Sequence, residues 1–289
     1  MKVCVEAPPV MSRAMFRVAD ALRAHAPAGV QCVKTGIESD LQVLHVIGME
    51  GMPDAISKSP EYAVLQYCYR SANGSPEQWN EVWKNARMVW SYYGDLPVPE
   101  GTNFLHSPLG VDTSVFRWNP APRCRAVVTT GFVSGPCAEA IEEVAVAALR
   151  SGFEVVHIGP TDVVGMNPRI SRHKDWNALG GISDARLAEI YQNAMWVSGL
   201  RHVEGFELPA LEGLACGARP ILFERPDMRQ WYDGMADFIP ECHGDELIQH
   251  LLELFKSRPV TVDPAVYDII SHELSWDCFA KTFWKELGV

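Results

Sequence analysis

Val203-Glu204-Gly205-Phe206-Glu207-Leu208-Pro209-Ala210-Leu211-Glu212-Gly213-Leu214-Ala215-Cys216-Gly217-Ala218-Arg219-Pro220-Ile221 is the stretch on which the reading of this chain turns. Two of its glutamates, Glu204 and Glu212, have seven residues between them. The glycine at 205 suits a backbone that must approach a ligand closely. Leu208, Leu211 and Ala215 recur at helical spacing, which predicts a helix over 207–216 entered at Pro209. Glu212 then lies on the helix and Glu204 in the loop before it. Carboxylates so placed can each accept hydrogen bonds from a pair of hydroxyls, one pair on a sugar and the other on a ribose. Two solvated glutamates flanking an amphipathic helix are the plain alternative. The neighbouring residues decide between them.

Working outward, apolar strand-like runs alternate with helical patterns, which predicts a parallel α/β arrangement. Ahead of the stretch come a strand at 126–130, a helix at 138–150, a strand at 155–158, a helix at 184–194 and a strand at 195–198. After it come a strand at 220–223 and a helix at 244–256. The N-terminal part reads as strands at 3–7, 41–47, 62–67 and 87–93, with a helix at 12–25 and an extended end at 103–105. Asn119-Pro120-Ala121-Pro122 has two prolines and no periodicity, the composition of a linker. Domains are therefore expected over 1–118 and 123–275, with a last helix at 276–289.

Composition agrees. The 289 residues are 47% hydrophobic and 21% charged, as in ordinary globular proteins. The net charge of −11 argues against a surface coated in nucleic acid. With 9 Lys or Arg against 12 Asp or Glu in residues 1 to 115, most of that excess lies further on, so a local basic groove in the N-terminal half stays open. Eight cysteines are dispersed, with no close pair at metal or redox spacing, which suits thiols in a reducing compartment. Lys2-Val3-Cys4-Val5 shows no signal-peptide pattern and no apolar run approaches a membrane span. A cytoplasmic protein is expected. The chain holds no Asp-x-Asp triplet and no metal-ligand spacing, so no metal site is expected either.

The opening stretch resembles the E-x7-E signature of retaining GT-B glycosyltransferases, family 4 above all, whose usual form runs close to EGFGLPxLEAMACGxPVI. Three further landmarks are similar to segments of that family and stand in the same order. They are Ser107-Pro108-Leu109-Gly110-Val111-Asp112-Thr113-Ser114-Val115-Phe116, Gly181-Ile182-Ser183-Asp184 with the helix behind it, and Ser275-Trp276-Asp277. The resemblance covers essentially the whole chain. It implies the GT-B fold, an α/β architecture of two Rossmann-like domains facing a central cleft, with the last helix packing back on the N-terminal domain. It also implies retaining sugar transfer from a nucleotide-sugar donor, a UDP- or GDP-sugar, with no other cofactor and no metal. In that family the acceptor attacks on the face that the diphosphate leaves, and a phosphate oxygen takes its proton. The protein positions the reactants and stabilises charge.

By the same resemblance, Glu212 would hold the ribose hydroxyls and Glu204 those of the donor sugar. Backbone groups at Gly205, Phe206 and Glu207 would flank that sugar, and Ile182 would lie at the base. Glu207 replaces a family glycine: an added carboxylate beside the donor is one reading, an outward-pointing side chain the other. The loop from Thr129 to Pro136 joins a strand to a helix, and amides at Gly131, Ser134 and Gly135 are placed to cradle a phosphate. A strand-to-helix turn capped by Ser134 would read the same. The family's diphosphate-clamping Arg and Lys fall near Phe132 and Cys137, so replacements are needed. Arg201 and His202 come first, then Arg219, then the cluster Arg169, Arg172 and Lys174. Solvated surface charges are the alternative for each. A family histidine on an N-terminal strand also lacks a counterpart, and Tyr69, Arg70 or Ser71 stand in its place.

The acceptor, expected in the N-terminal domain, stays open. A glycan, lipid-linked or small-molecule hydroxyl is the default, although Arg13, Arg17, Arg23 and His25 make only a weak basic amphipathic helix for a membrane surface. The compact chain, with Tyr67-Cys68-Tyr69-Arg70 and the run 204–231, is also similar to virus-encoded glycosyltransferases, some of which modify 5-hydroxymethylpyrimidines in DNA. There Tyr67 or Tyr69 would stack on the extruded base. A catalytically silent module that binds a nucleotide sugar is the third reading. Nothing in the sequence speaks to oligomeric state.

Overall fold

The structure, a computed structural model, describes every residue except 8–12, 35–36, 51, 58–60, 70–72, 132–137, 160–165, 204 and 258–260. The chain divides into two compact units. One is Met1–Gly110 together with Glu273–Val289, the other Val111–His272.

The first unit runs β1 (Lys2–Cys4), α1 (Arg13–Ala24), β2 (Gln31–Val33), β3 (Leu41–Val46), α2 (Met52–Ser57), β4 (Tyr62–Gln66), α3 (Pro76–Lys84), β5 (Met88–Ser91) and β6 (Phe104–His106). The second runs β7 (Ala126–Thr130), α4 (Ile141–Arg150), β8 (Glu154–Ile158), α5 (Pro168–Ser171), β9 (Trp176–Leu179), α6 (Asp184–Asn193), β10 (Trp196–Gly199), α7 (Leu208–Ala215), β11 (Arg219–Phe223), α8 (Pro226–Tyr232), β12 (Asp237–Ile239), α9 (Gly244–Lys256) and α10 (Pro264–Glu273). A last helix, α11 (Trp276–Leu287), belongs to the first unit.

Each unit holds a six-stranded sheet, ordered β2-β1-β3-β4-β5-β6 in the first and β12-β11-β10-β7-β8-β9 in the second. Every pairing is parallel. The central strands are buried along their whole length, Tyr62–Gln66 and Ala126–Thr130 among them. Helices cover parallel sheets on both faces, which is why these strands read as unbroken apolar runs rather than alternating ones.

Aromatic packing fills the first unit. Trp79 stacks on Trp83 at 5.7 Å, and Trp90 meets Phe279 of α11 edge-on at 5.5 Å. The α11 helix is tied down by polar bonds too: Trp284 Nε1 donates to the Leu22 carbonyl at 3.1 Å and Arg87 Nε to that of Leu287 at 2.9 Å. In the second unit Val144, Ala148, Phe153, Trp196, Ile221, Leu251 and Phe255 form the core between sheet and helices. Arg123 closes two helix ends at once. Its guanidinium donates to the carbonyls of Tyr191 and Gln192 in the last turn of α6, of Ala194 that caps it, and of Cys216 that caps α7. Those are the carbonyls a helix leaves without an internal partner.

In both sheets the connection direction reverses once, between β1 and β3 and between β7 and β10. Loops leaving adjacent strands at such a point diverge and open a crevice at the carboxyl ends, where open α/β sheets bind their ligands.

Candidate active site

In the second unit the reversal is bridged by a buried charge network. Arg201 follows β10 and Glu139 ends the loop after β7. Residues 139 and 201 form an isolated antiparallel bridge, and Ala140 N donates to the Leu200 carbonyl at 3.0 Å. The Arg201 guanidinium lies between two carboxylates. Nη1 donates to Glu207 Oε2, while Nη2 lies 3.3 Å from Glu139 Oε2 and donates to the Thr130 carbonyl and hydroxyl at 2.7 and 2.9 Å. Glu139 Oε2 also accepts from Thr130 N at 2.8 Å. Arg201, Glu139 and Glu207 are 7%, 4% and 1% exposed. Burial pushes the Glu139 carboxyl up to about 7, against the opposing pull of Arg201, of the nearby Ser198 hydroxyl and of the hydrogen bond from Thr130 N. Neighbouring His157 donates to or accepts from Thr129 Oγ1 at 3.1 Å, and burial with the Arg201 charge lowers it to about 4. The imidazole is neutral.

The expected site residues take the following places in this geometry. Arg201 lies at the reversal, where two carboxylates hold it and its guanidinium joins the two loops. The side chain of Glu207 is neither outward nor exposed; it packs against Gly199 and closes on Arg201. The amide of Gly131 donates to the Ile158 carbonyl at 3.0 Å. His202 is engaged by Glu241 at 2.8 Å and stacks on His243 at 4.0 Å. Arg219 begins β11 in register with Trp196, at the far end of the strands from Arg201, where Asp237 holds it at 2.7 Å. Of the third cluster, Arg169 and Arg172 are exposed. Glu204, Arg70, Ser134 and Gly135 lie outside the described residues.

The rest of the segment is packed. Gly205 and Phe206 are buried, and the Phe206 ring lies 5.6 Å from that of Tyr232. The Tyr232 hydroxyl donates to the Glu207 carbonyl at 2.7 Å. On α7, Glu212 is 3% exposed. Burial and the Glu212 charge together push the Cys216 thiol up to about 12. Arg225 braces the loop from below, donating through Nη1 to the carbonyls of Arg201 and His202. Ile182 is half-buried beyond the edge strand β9, before Ser183 caps α6.

Sequence reasoning missed Glu139, Thr130, His157 and Arg225. Arg201 and Glu139 are 62 positions apart, so no local periodicity connects them. His157 sits inside an apolar run and reads as core. In the first unit, Tyr69 is half-buried with its ring 5.7 Å from that of Trp83. His45 is a packed core histidine, 5% exposed, bonded to the Tyr67 hydroxyl at 2.9 Å and the Val5 carbonyl at 3.2 Å.

No protein-family profile matches the chain, and no curated protein sequence does. Solved structures do. The sucrose-phosphate synthase of Thermosynechococcus elongatus superposes with a TM-score of 0.72 at 13% identity, over 98% of this chain and 97% of that one. HepE of Anabaena, solved with UDP and glucose, gives 0.71 at 10% identity over 99% and 98%. A variant of TarM from S. aureus, solved with Fondaparinux, α-GlcNAc-glycerol and UDP, gives 0.65 at 10% identity over 86% of this chain and 55% of TarM. The fold is the GT-B fold of nucleotide-sugar glycosyltransferases. Among the described residues, no helix is long and apolar enough to cross a membrane.

Proposed function

We propose that this chain is a retaining glycosyltransferase that moves a sugar from a nucleotide-sugar donor to an acceptor hydroxyl, with no metal in the chemical step. One observation carries the reading: α7, which bears Glu212, follows β10 at the reversal between β7 and β10, the place where such sheets bind ligands. Glu212, buried in the middle of α7, is assigned the ribose hydroxyls, and Glu204 the hydroxyls of the donor sugar. Ionised carboxylates accept such bonds strongly in a water-poor setting. The Glu139–Arg201–Glu207 network fixes the two loops so that the donor meets a preformed surface. That is the positioning role this chemistry asks of a protein. Diphosphate charge falls to backbone amides of the loop after β7, Ser134 and Gly135 being the candidates. A phosphate oxygen of the leaving group takes the acceptor proton.

For the acceptor, a glycan, lipid-linked or small-molecule hydroxyl is favoured over a hydroxymethylated base in DNA. Tyr67, one of the two rings available to stack on an extruded base, is 4% exposed and committed to His45. The test begins with calorimetry against UDP and GDP. It continues with a panel of nucleotide sugars incubated with glycans, lipid-linked sugars and DNA containing 5-hydroxymethylcytosine, read by mass spectrometry. A hexose or pentose increment on one acceptor class identifies the reaction, and an increment on DNA reverses the preference just stated. Absence of nucleotide binding together with absence of donor turnover would refute the assignment.

A further inference from the structure

Where β12 runs into α9, three side chains of metal-ligating type converge: Cys242, Glu246 and His250 each bring one ligand atom within 4.8 Å of the other two. From the sequence no metal site is expected, because the cysteines and histidines are scattered. The relevant spacing is instead a mixed Cys-x3-Glu-x3-His. Its helical members lie one turn apart along α9, beside the buried stripe Leu247, Leu251 and Phe255. Cys242 precedes the helix and is 9% exposed, so the thiol turns back over the first turn. Among the described residues, Glu246 and His250 make no hydrogen bond or ion pair elsewhere, whereas Glu253 and Lys256 on the same helix pair at 2.6 Å. Cys242 Sγ makes only a weak bond to the Pro240 carbonyl at 3.3 Å.

We infer that Cys242, Glu246 and His250 bind a zinc-class divalent cation, with water in the fourth position. Thiolate, carboxylate and imidazole together form a donor set that zinc takes in tetrahedral sites. The charges also balance: two anionic ligands and one neutral one neutralise a divalent ion. On binding, the Cys242 S–H bond breaks, its proton passes to solvent and sulfur donates the electron pair to the metal. Burial and the neighbouring Glu246 carboxylate raise the free Cys242 thiol, and the metal displaces that proton on binding. The site is separate from the sugar chemistry but adjoins its support. Glu241, next to Cys242, holds His202 at 2.8 Å and lies 3.7 Å from Arg225, which braces the loop after β10. A metal that fastens residue 242 to α9 therefore steadies that brace.

Cobalt(II) is the probe, because a cobalt–thiolate bond gives a near-ultraviolet charge-transfer band. Chelator-stripped protein titrated with cobalt should show this band saturating at one equivalent, and zinc should abolish it. Cys242→Ser should remove the band. His250→Ala and Glu246→Gln, at partly exposed and exposed positions, should keep the fold and weaken binding roughly tenfold or more. Zinc should raise the thermal midpoint of the wild type by several degrees and that of His250→Ala by clearly less at the same concentration. Absence of a band, a band that survives Cys242→Ser, or equal affinity in His250→Ala would overturn the site. None of these readouts depends on glycosyl transfer.

Discussion

Arg201 Nη2 and Glu139 Oε2 lie 3.3 Å apart in the interior, joining the loop that leaves β7 to the loop that leaves β10. Glu207 adds a second carboxylate to the same guanidinium. Removing the cation leaves two buried carboxylates without their shared partner, and breaking a buried pair in this way costs about 3–5 kcal/mol. Arg201→Met should therefore lower the urea midpoint of the second unit sharply. Adding Glu207→Gln should recover part of the loss. A midpoint in Arg201→Met equal to that of the wild type would show that the network adds nothing to stability.

The pH dependence of stability contains two opposed parts. Glu139 moves from 4.5 up to about 7 through burial, so between those values the folded chain holds a proton that the unfolded chain has lost. Its contribution is intact at low pH and declines as pH rises through that window, by about 3 kcal/mol in all. Buried His45 and His157 fall from 6.5 to about 4, so the folded chain refuses a proton that the unfolded one binds. Their contribution is intact above 6.5 and lost toward 4. Two histidines outweigh one glutamate, and the wild type should weaken on acidification below 6.5. Unfolding of Glu139→Gln beside the wild type isolates the other part: the variant's relative stability should grow from about pH 4.5 to 7.5. A difference flat with pH would contradict the raised carboxyl.

Glu212→Gln keeps the shape of a side chain that is 3% exposed and removes its charge. A charge-assisted hydrogen bond is worth about 1.5–3 kcal/mol, so the dissociation constant for the donor nucleotide should rise at least roughly tenfold. Calorimetry with UDP measures it directly. An unaltered constant would remove Glu212 from the donor site.

Transfer should survive a chelator at saturating donor, since charge on the leaving diphosphate is assigned to backbone amides and not to a cation. Assays with EDTA, with and without added manganese or magnesium, decide the point. Loss of turnover restored by either ion would reject the metal-free mechanism.

Gly131 has φ +91°, and a Cβ there would stand 2.8 Å from Arg201 Nη2. Gly152, at φ +75°, has nothing within 4 Å. Both alanine variants incur the left-handed penalty of roughly 1–2 kcal/mol. Only Gly131→Ala also displaces the guanidinium. Thermal unfolding of the pair should show the larger loss at 131, and equal losses would mean that Arg201 yields freely.

Much of this was legible beforehand, for identifiable reasons. The strand at 126–130 and the helix at 244–256 were predicted to the residue, because full burial of the one and the apolar stripe of the other leave strong patterns. The short strands β2, β9 and β12 carry partly exposed residues and leave none. The α3 helix was missed although Ser75 and Gln78 form a capping box; reading for apolar periodicity alone passed over it. The motif singles out Glu212, which the structure buries on α7. The partner of Arg201 was not legible, since a contact across 62 positions follows from strand order rather than from local spacing. The Cys242 cluster was overlooked because cysteines and histidines were sought as pairs of like residues, and the carboxylate between them joins the two.

The α11 helix gives synthesis an order of its own. Residues 1–110 leave the ribosome before residues 111–272, yet the face carrying Trp90, Leu22 and Arg87 lacks the cover of α11 until residues 273–289 are made. The strands of the second sheet are all translated before then. The first unit is thus completed after the second, and until residues 273–289 emerge it offers a nascent apolar face to chaperones. A premature stop near position 275 would injure the N-terminal half while sparing the C-terminal one.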